Sequence, residues 1–417
     1  MEVLSSGGGV AAAGRRSKGR ERIAAALALT LVALLVLVTA TSASIKLSHG
    51  GAAVGFDPVA TASADFNHDG RMDLAVSNFA ASANPAAKRS ITILAGQKNG
   101  SFKPVKTLDS DQPTGIVADN FGKGGDPDLL VATFTGNVEL YKGGKGFKFG
   151  APKLTPVGND ARGIVAEDFD GDHRRDFAVT IQQPAALKIY FAKNGGTSFG
   201  SEHVIAGASD GRPVISTRLN GDNRPDLVTA NGLTGKLTVL LGKRKGKFAK
   251  QTYKVKGATI PAAFDFDQDK NTDIAVASET QLLRGGAKGG SGAKSSLVVL
   301  SGSKKGKLHK VSTTKLKPFG KLRPTALTAA QIDGDHDADL VLGVQKAGAT
   351  KRGDGGPAAV QVWTGQHKAA FAKTKTFSVA GLVGQMTALR RGAQDVVAVP
   401  IDPNNDTHGV VRLLSGR

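Results

Sequence analysis

The chain contains no cysteine. Thiol nucleophiles and cysteine-based zinc sites are therefore excluded, and any core must hold without disulfides, which a domain of this size can do by apolar burial. Aromatic residues are scarce, with one Trp and three Tyr among 417 residues. The lysine-rich stretches accordingly lack the interleaved rings on which single-stranded nucleic acid stacks its bases, and specific nucleic-acid binding is not expected. No segment after residue 50 has the apolar period of an amphipathic helix. Three of the eight histidines, His68, His173 and His336, sit inside acidic loops, and none lies in a Gly-x-Ser-x-Gly or His-Glu-x-x-His setting. With no nucleophile, base and orienting group marked out together, no catalytic residue is assigned.

What the chain has instead is a repeated acidic nonapeptide. It reads Asp65-Phe-Asn-His-Asp-Gly-Arg-Met-Asp73, Asp168-Phe-Asp-Gly-Asp-His-Arg-Arg-Asp176 and Asp265-Phe-Asp-Gln-Asp-Lys-Asn-Thr-Asp273. Two weaker copies are Arg218-Leu-Asn-Gly-Asp-Asn-Arg-Pro-Asp226 and Gln331-Ile-Asp-Gly-Asp-His-Asp-Ala-Asp339. Side-chain oxygens at positions 1, 3, 5 and 9, with a backbone carbonyl at position 7, are what a tight loop needs to surround a hard divalent cation such as calcium. Each copy runs directly into an apolar, β-prone stretch, so the loops feed strands rather than helices. Asp, Asn and Gly also dominate ordinary turns, but three complete copies in phase argue for a shared chemistry.

The ninth positions, Asp73, Asp128, Asp176, Asp226, Asp273, Asp339 and an eroded Asp395, recur at roughly 50 residues, a period that marks a solenoid, propeller or array. Within one period a short apolar strand enters the acidic loop and a second strand leaves it. A third ends in a glycine turn, as in Leu237-Thr-Val-Leu-Leu-Gly242, and a fourth begins near Phe102, Phe147, Phe199, Phe248 or Phe371. Four short strands per unit with glycine punctuation make a propeller blade. The expected fold is all-β, a seven-bladed β-propeller of four-stranded antiparallel blades. The seventh copy stops at its third strand, Gly409-Val-Val-Arg-Leu-Leu-Ser415, while Ser44–Ser48 belongs to no copy. An open ring would expose a strand edge, so the N-terminal strand is expected to close the last blade.

These repeats resemble the FG-GAP/VCBS repeats of the integrin α-subunit N-terminal propeller and of many secreted bacterial proteins, down to the string Phe149-Gly-Ala-Pro152. The resemblance spans residues 44–417. It implies calcium at the loop joining the first and second strands, with Asp65, Asn67, Asp69 and Asp73 as one ligand set. Asp168, Asp170, Asp172 and Asp176 form a second, and Asp265, Asp267, Asp269 and Asp273 a third. The carbonyls of Arg71, Arg174 and Asn271 would fill position 7. Asp333, Asp335 and Asp339, preceded by Gln331, offer a possible fourth. Arg218 at the first position of the fourth blade would replace the metal with an internal ion pair. The second blade, Asp119 to Asp128, carries an extra residue, and the seventh, around Arg390 to Asp395, has lost the pattern.

Residues 1–22 are small and then basic, and 23–43 begin with eighteen uncharged residues from Ile23 to Ala40. This is the anatomy of a signal peptide or of an N-terminal membrane anchor. Either reading exports the domain at 44–417, to be secreted or held at the outer side of the cytoplasmic membrane. The formal net charge is +20. Lysines recur in the turn after the third strand, at Lys142, Lys145, Lys243, Lys247, Lys304 and Lys307, on the same face as the acidic loops. That suits an acidic glycan or other cell-surface polymer, or simply solvated edges. Long loops at 79–88, 280–295 and 346–357, the last holding Arg352-Gly-Asp354, sit on the opposite face, where a protein ligand would dock. The function expected is an exported calcium-binding module for binding or adhesion. The alternative is a polysaccharide-active lyase or hydrolase on the same scaffold. Acids and histidines gathered from several blades at the channel mouth would favour the enzyme, and a basic ring without them would favour binding.

Overall fold

The computed structural model describes residues 44–48, 51–80, 88–279, 295–316, 322–346, 358–366, 369–391, 394–403 and 408–416. The N-terminal segment 1–43 and most of the three long loops, with Arg352 and Asp354, lie outside the described residues. Ser44–Arg417 forms one compact unit.

That unit is a seven-bladed β-propeller. Six blades are four-stranded antiparallel sheets in which consecutive strands pair in order. The first blade runs Pro58–Ala64, Asp73–Asn78, Ser90–Gly96 and Phe102–Asp109. Inner strands of neighbouring blades lie side by side around the channel: Pro58–Ala64, Pro113–Asp119, Ala161–Glu167, Val214–Thr217, Ala258–Phe264, Leu322–Ala330 and Thr387–Arg391.

Position in the blade explains the residue pattern. The second strand is packed on both faces by other blades, so Asp73–Asn78, Asp128–Thr133 and Asp176–Ile181 are buried along their whole length. They read as continuous apolar runs rather than alternating ones. The outer strand meets water on one face, and Phe248–Lys254 alternates partly buried and exposed residues, with lysines outward. Seven apolar clusters hold the ring, each bridging two adjacent blades. One joins Leu74, Val76 and Leu94 of the first blade to Leu389 and Ala398 of the seventh.

The last blade is closed as expected. Lys46–Leu47 pairs antiparallel with Val410–Ser415, placing Lys46 opposite Ser415, and a second short strand, Ala52–Ala53, extends the seam. Ile45 is 2% exposed and joins the cluster between the sixth and seventh blades. The second blade departs from the expected boundaries. Its outer strand is Lys153–Pro156, not a strand starting at Phe147, because Gly143–Gly144 and Lys148–Phe149 fold into a separate two-stranded ribbon first.

Candidate functional site

The acidic loops join the first strand to the second at one face of the ring. The ninth-position aspartate is the most deeply buried part of each. Asp73, Asp176, Asp226, Asp273 and Asp339 are 0% exposed and Asp128 1%. One carboxylate oxygen accepts the backbone N–H of the second loop residue, as from Phe66, Phe121, Phe169, Leu219, Phe266 and Ile332 at 2.7–2.9 Å. The other accepts an N–H from the end of the third strand at 2.7–3.0 Å, from Gly96, Gly143, Ala192, Gly242, Gly302 and Gly365. This residue is a staple between loop and sheet in six blades, whatever the loop binds. In the seventh, Asp395 instead reaches back to the N–H of Gln331, 2.9 Å away.

Above the staple the chain coils into Asx turns. In the third blade Asp168 accepts the N–H groups of Gly171, Asp172 and His173, Asp170 accepts Asp172, and Asp172 accepts Arg174. The fifth repeats this, with Asp265 taking Asp269 and Lys270, Asp267 taking Asp269, and Asp269 taking Asn271. In the first, Asp65 takes Asp69 and Gly70, and Asn67 takes Asp69. These bonds point the side-chain oxygens toward one centre. Carboxylate oxygens of Asp168, Asp170 and Asp176 lie within 4.8 Å of one another, as do those of Asp265, Asp267 and Asp269. Ligands about 2.3–2.6 Å from a calcium ion lie within roughly 5 Å of each other, so both sets fit that ion. Among the described residues, neither Asp65, Asp69 and Asp73 of the first blade nor Asp333, Asp335 and Asp339 of the sixth converge to that distance.

Buried and crowded carboxylates resist ionisation. Burial, with Asp170 and Asp172 nearby, pushes Asp176 up to about 7 against the backbone bonds that favour its charged form. Burial likewise pushes Asp273 up to about 6 and Asp339 up to about 7, and raises Asp73 and Asp170. Burial and the adjoining Asp335 carboxyl push Asp333 up to about 6.

Four loops bring their own cations, and in the first and third blades these are Arg71, which pairs with Asp69, and Arg174, which pairs with Asp172. In the second blade the Lys142 ammonium contacts both the Asp128 carboxylate and the Phe121 carbonyl. The first acid of that loop, Asp119, turns to Arg175 of the third blade at 2.8 Å. In the fourth, Arg224 pairs with Asp222 at 2.9 Å. Burial of Asp222 is there outweighed by bonds from Arg224 and Asn220 and by the Arg224 charge, so its carboxyl falls below the ordinary range. Arg218 does not make the pair expected within its own loop. It reaches Glu167 of the third blade at 3.4 Å, because its first-position side chain faces the neighbouring inner strand. Loops also meet across blade boundaries, as where His68 of the first blade contacts Asp126 of the second at 2.8 Å.

The basic turns lean on these loops. Gly246, at φ 65°, sits so close to the third blade that an added Cβ would lie 2.5 Å from the Phe191 ring and 3.4 Å from the Asp170 Cβ. Gly306, at φ 69°, packs in the same way against Asn220 and Leu241. The exposed Lys243, Lys245 and Lys247 thus stand beside the third blade's acidic loop. The face alternates acidic loops with basic turns rather than carrying an uninterrupted basic ring.

At the opposite mouth of the channel lies a cavity of about 620 Å³. Arg162, Arg212 and Arg323 line it from the third, fourth and sixth blades, facing Asp57 and Asp402 of the first and seventh. Sequence reading missed this group. Its signal was the matched pair Asp160-Ala-Arg162 and Asp210-Gly-Arg212, the first opening an inner strand and the second just ahead of one.

An FG-GAP-like repeat model matches residues 125–179 and 218–276, covering acidic loops and flanking strands of the second to fifth blades. The chain carries FG-GAP-like repeats. No curated protein matches the sequence. Among solved structures, BBS1N in its complex with ARL6DN is similar at a TM-score of 0.55 and 11% identity, covering 90% of this chain and 98% of that one. A functionally unknown protein from Desulfotomaculum acetoxidans gives a TM-score of 0.49 at 15% identity, covering 79% of this chain and 87% of that one. At such identities the BBS1N likeness concerns the fold alone. The FG-GAP-like repeat is accordingly a statement about blades and loops.

Proposed function

We propose that this FG-GAP-like propeller is an exported binding or adhesion module whose acidic loops are stapled by calcium. The observation that carries this reading is the convergence of Asp168, Asp170 and Asp176, and of Asp265, Asp267 and Asp269, within 4.8 Å in two blades. Asp172 and Asp273 complete those sets, and Asp65, Asn67, Asp69 and Asp73 hold a third ion. The first blade and the sixth, with Asp333, Asp335 and Asp339, are the weaker candidates, since their acids do not converge as those of the third and fifth do. Calcium here neutralises carboxylates that burial and mutual repulsion otherwise drive toward protonation, and so fixes each loop on its blade. Millimolar extracellular calcium suits sites of modest affinity.

The surface so fixed presents exposed lysines between the metal loops, a pattern suited to an acidic glycan or other cell-surface polymer. Thermal unfolding of residues 44–417 in calcium and in excess chelator tests the metal. A ligand that binds only the native state raises its stability by mass action, so the midpoint should rise by many degrees with calcium. An unchanged midpoint would reduce the loops to bare turns. A polysaccharide-active lyase or hydrolase is the second reading, supported by Asp57 and Asp402 at the same mouth as three arginines. Chain shortening of an acidic polysaccharide, lost in Asp57→Asn or Asp402→Asn, would favour it.

A further inference from the structure

The arginine-lined mouth is on the face away from the acidic loops, at the start of the inner strands. Each arginine there has an acid beside its Nε edge, hydrogen-bonded for Arg162 and at ion-pair distance for Arg212 and Arg323. Arg162 donates from Nε to Asp160 at 2.6 Å and from Nη2 at 3.2 Å. The Nε of Arg212 lies 3.4 Å from Asp210, and that of Arg323 3.5 Å from Glu279. The three acids are only 5–8% exposed. The arginine side chains remain 43%, 22% and 46% exposed. A carboxylate behind a guanidinium fixes its direction and leaves nitrogens on the far edge for a ligand, which is how arginine recognises carboxylates in a planar, paired manner. Arg162 also sits over the Phe134 ring at 5.6 Å, and Phe134 meets Phe79 edge-on at 5.8 Å.

The cavity is polarised. Guanidinium groups occupy one arc, Asp57 and Asp402 the other, and the Gln345 and Gln385 carboxamides also line it. A second, smaller cavity of about 290 Å³ continues down the channel between Ile260, Ala262, Leu327 and Met386. At about 620 Å³ the mouth falls in the size range of small-ligand sites. Its chemistry asks for a carboxylate at one end and several hydroxyl donors at the other.

We propose that this vestibule binds a sugar acid, the uronate end of an acidic saccharide, with its carboxylate on Arg162, Arg212 and Arg323 and its hydroxyls on Asp57, Asp402 and the two glutamines. The site does not depend on the metal loops or on the basic turns. Calorimetric titration of the calcium-loaded full-length chain with trimers of galacturonate, glucuronate and mannuronate tests it, with neutral galactotriose and trialanine as controls. At least one uronate trimer should bind at one site per chain, and galactotriose and trialanine should bind at least tenfold more weakly. Truncating Arg212 alone would leave Asp210 buried and unpaired, so the paired variant Asp210→Asn/Arg212→Met removes both charges, and Arg323→Gln gives an independent reading. Each should weaken uronate binding at least tenfold while the thermal midpoint in calcium stays near that of the parent. Lys243→Ala/Lys247→Ala, on the other face, should leave it unchanged. The proposal is overturned if no uronate trimer binds, if galactotriose or trialanine binds as tightly, or if the lysine variant loses binding that both arginine variants keep. That last result would still leave a glycan-binding function on the metal-loop face.

Discussion

The second and third blades solve one electrostatic problem in two ways. Both bury an aspartate, Asp128 or Asp176, whose two oxygens each take a backbone N–H. The second supplies a permanent cation, the Lys142 ammonium, from its own third strand. The third surrounds the same position with Asp168 and Asp170, and its own cation, Arg174, pairs with Asp172 rather than with the buried aspartate. A repeat can thus keep its staple while the charge around it changes. Blade architecture and the proposed metal binding are separable properties of the same loop.

The largest effects should come from the shared staple. Asp128→Ala and Asp176→Ala each strand two buried N–H donors and should cost about 3 kcal/mol or more by chemical denaturation in chelator. Similar losses in both would sharpen the comparison, and a negligible loss in either would break it. Next comes the built-in cation. Lys142→Met leaves Asp128 buried without its partner and should destabilise by about 2–3 kcal/mol, equally with and without calcium. A calcium-dependent loss would mean that the second blade binds metal after all. Asp170→Asn should do the reverse, removing about 2.7 kcal/mol where calcium stands a hundredfold above its dissociation constant and almost nothing in chelator.

The pH response follows from the same contrast. Folding raises the Asp176 pKa from 3.8 to about 7, so its protonated form favours the native state. Its stabilising contribution is fully present below about pH 3.8 and is lost as the pH rises through 7. In chelator, the parent should therefore gain stability relative to Asp176→Asn as the pH falls from 7 to 5, measured by urea midpoints. Calcium, which requires the carboxylate, should abolish or reverse that gain. The smallest effect belongs to Arg218→Gln, whose half-exposed contact with Glu167 is worth under about 1 kcal/mol.

Much of this was legible in the residues. The acidic nonapeptides, their period and the glycine turns lead to seven blades, and Ser44–Ser48 without a copy of its own leads to the seam at Val410–Ser415. What stayed hidden depends on partners distant in sequence. Lys142 reads as one more turn lysine until the fold lays it on Asp128. Arg218 looks like an occupant of its own loop, yet Glu167 lies fifty-one positions earlier and is brought alongside only by the packing of adjacent inner strands. Asp160-Ala-Arg162 and Asp210-Gly-Arg212 carry no metal-type spacing, and only the ring gathers them with Arg323 at one mouth. The ninth aspartate was legible as a candidate ligand but not as a staple, because one of its two backbone donors belongs to the end of the third strand, later in the blade.

The seam also decides how the ring bears a load. Lys46 stands opposite Ser415 in antiparallel register, so the chain enters and leaves the propeller side by side at one end of the same ladder. Tension between the two ends would unzip that ladder one pair at a time, the weakest way to pull a sheet. A tether at the N-terminal end with a ligand gripped at a distant blade would instead load many strands together. The ladder at Lys46 and Ser415 is thus where a pull between the two strands would open the ring first.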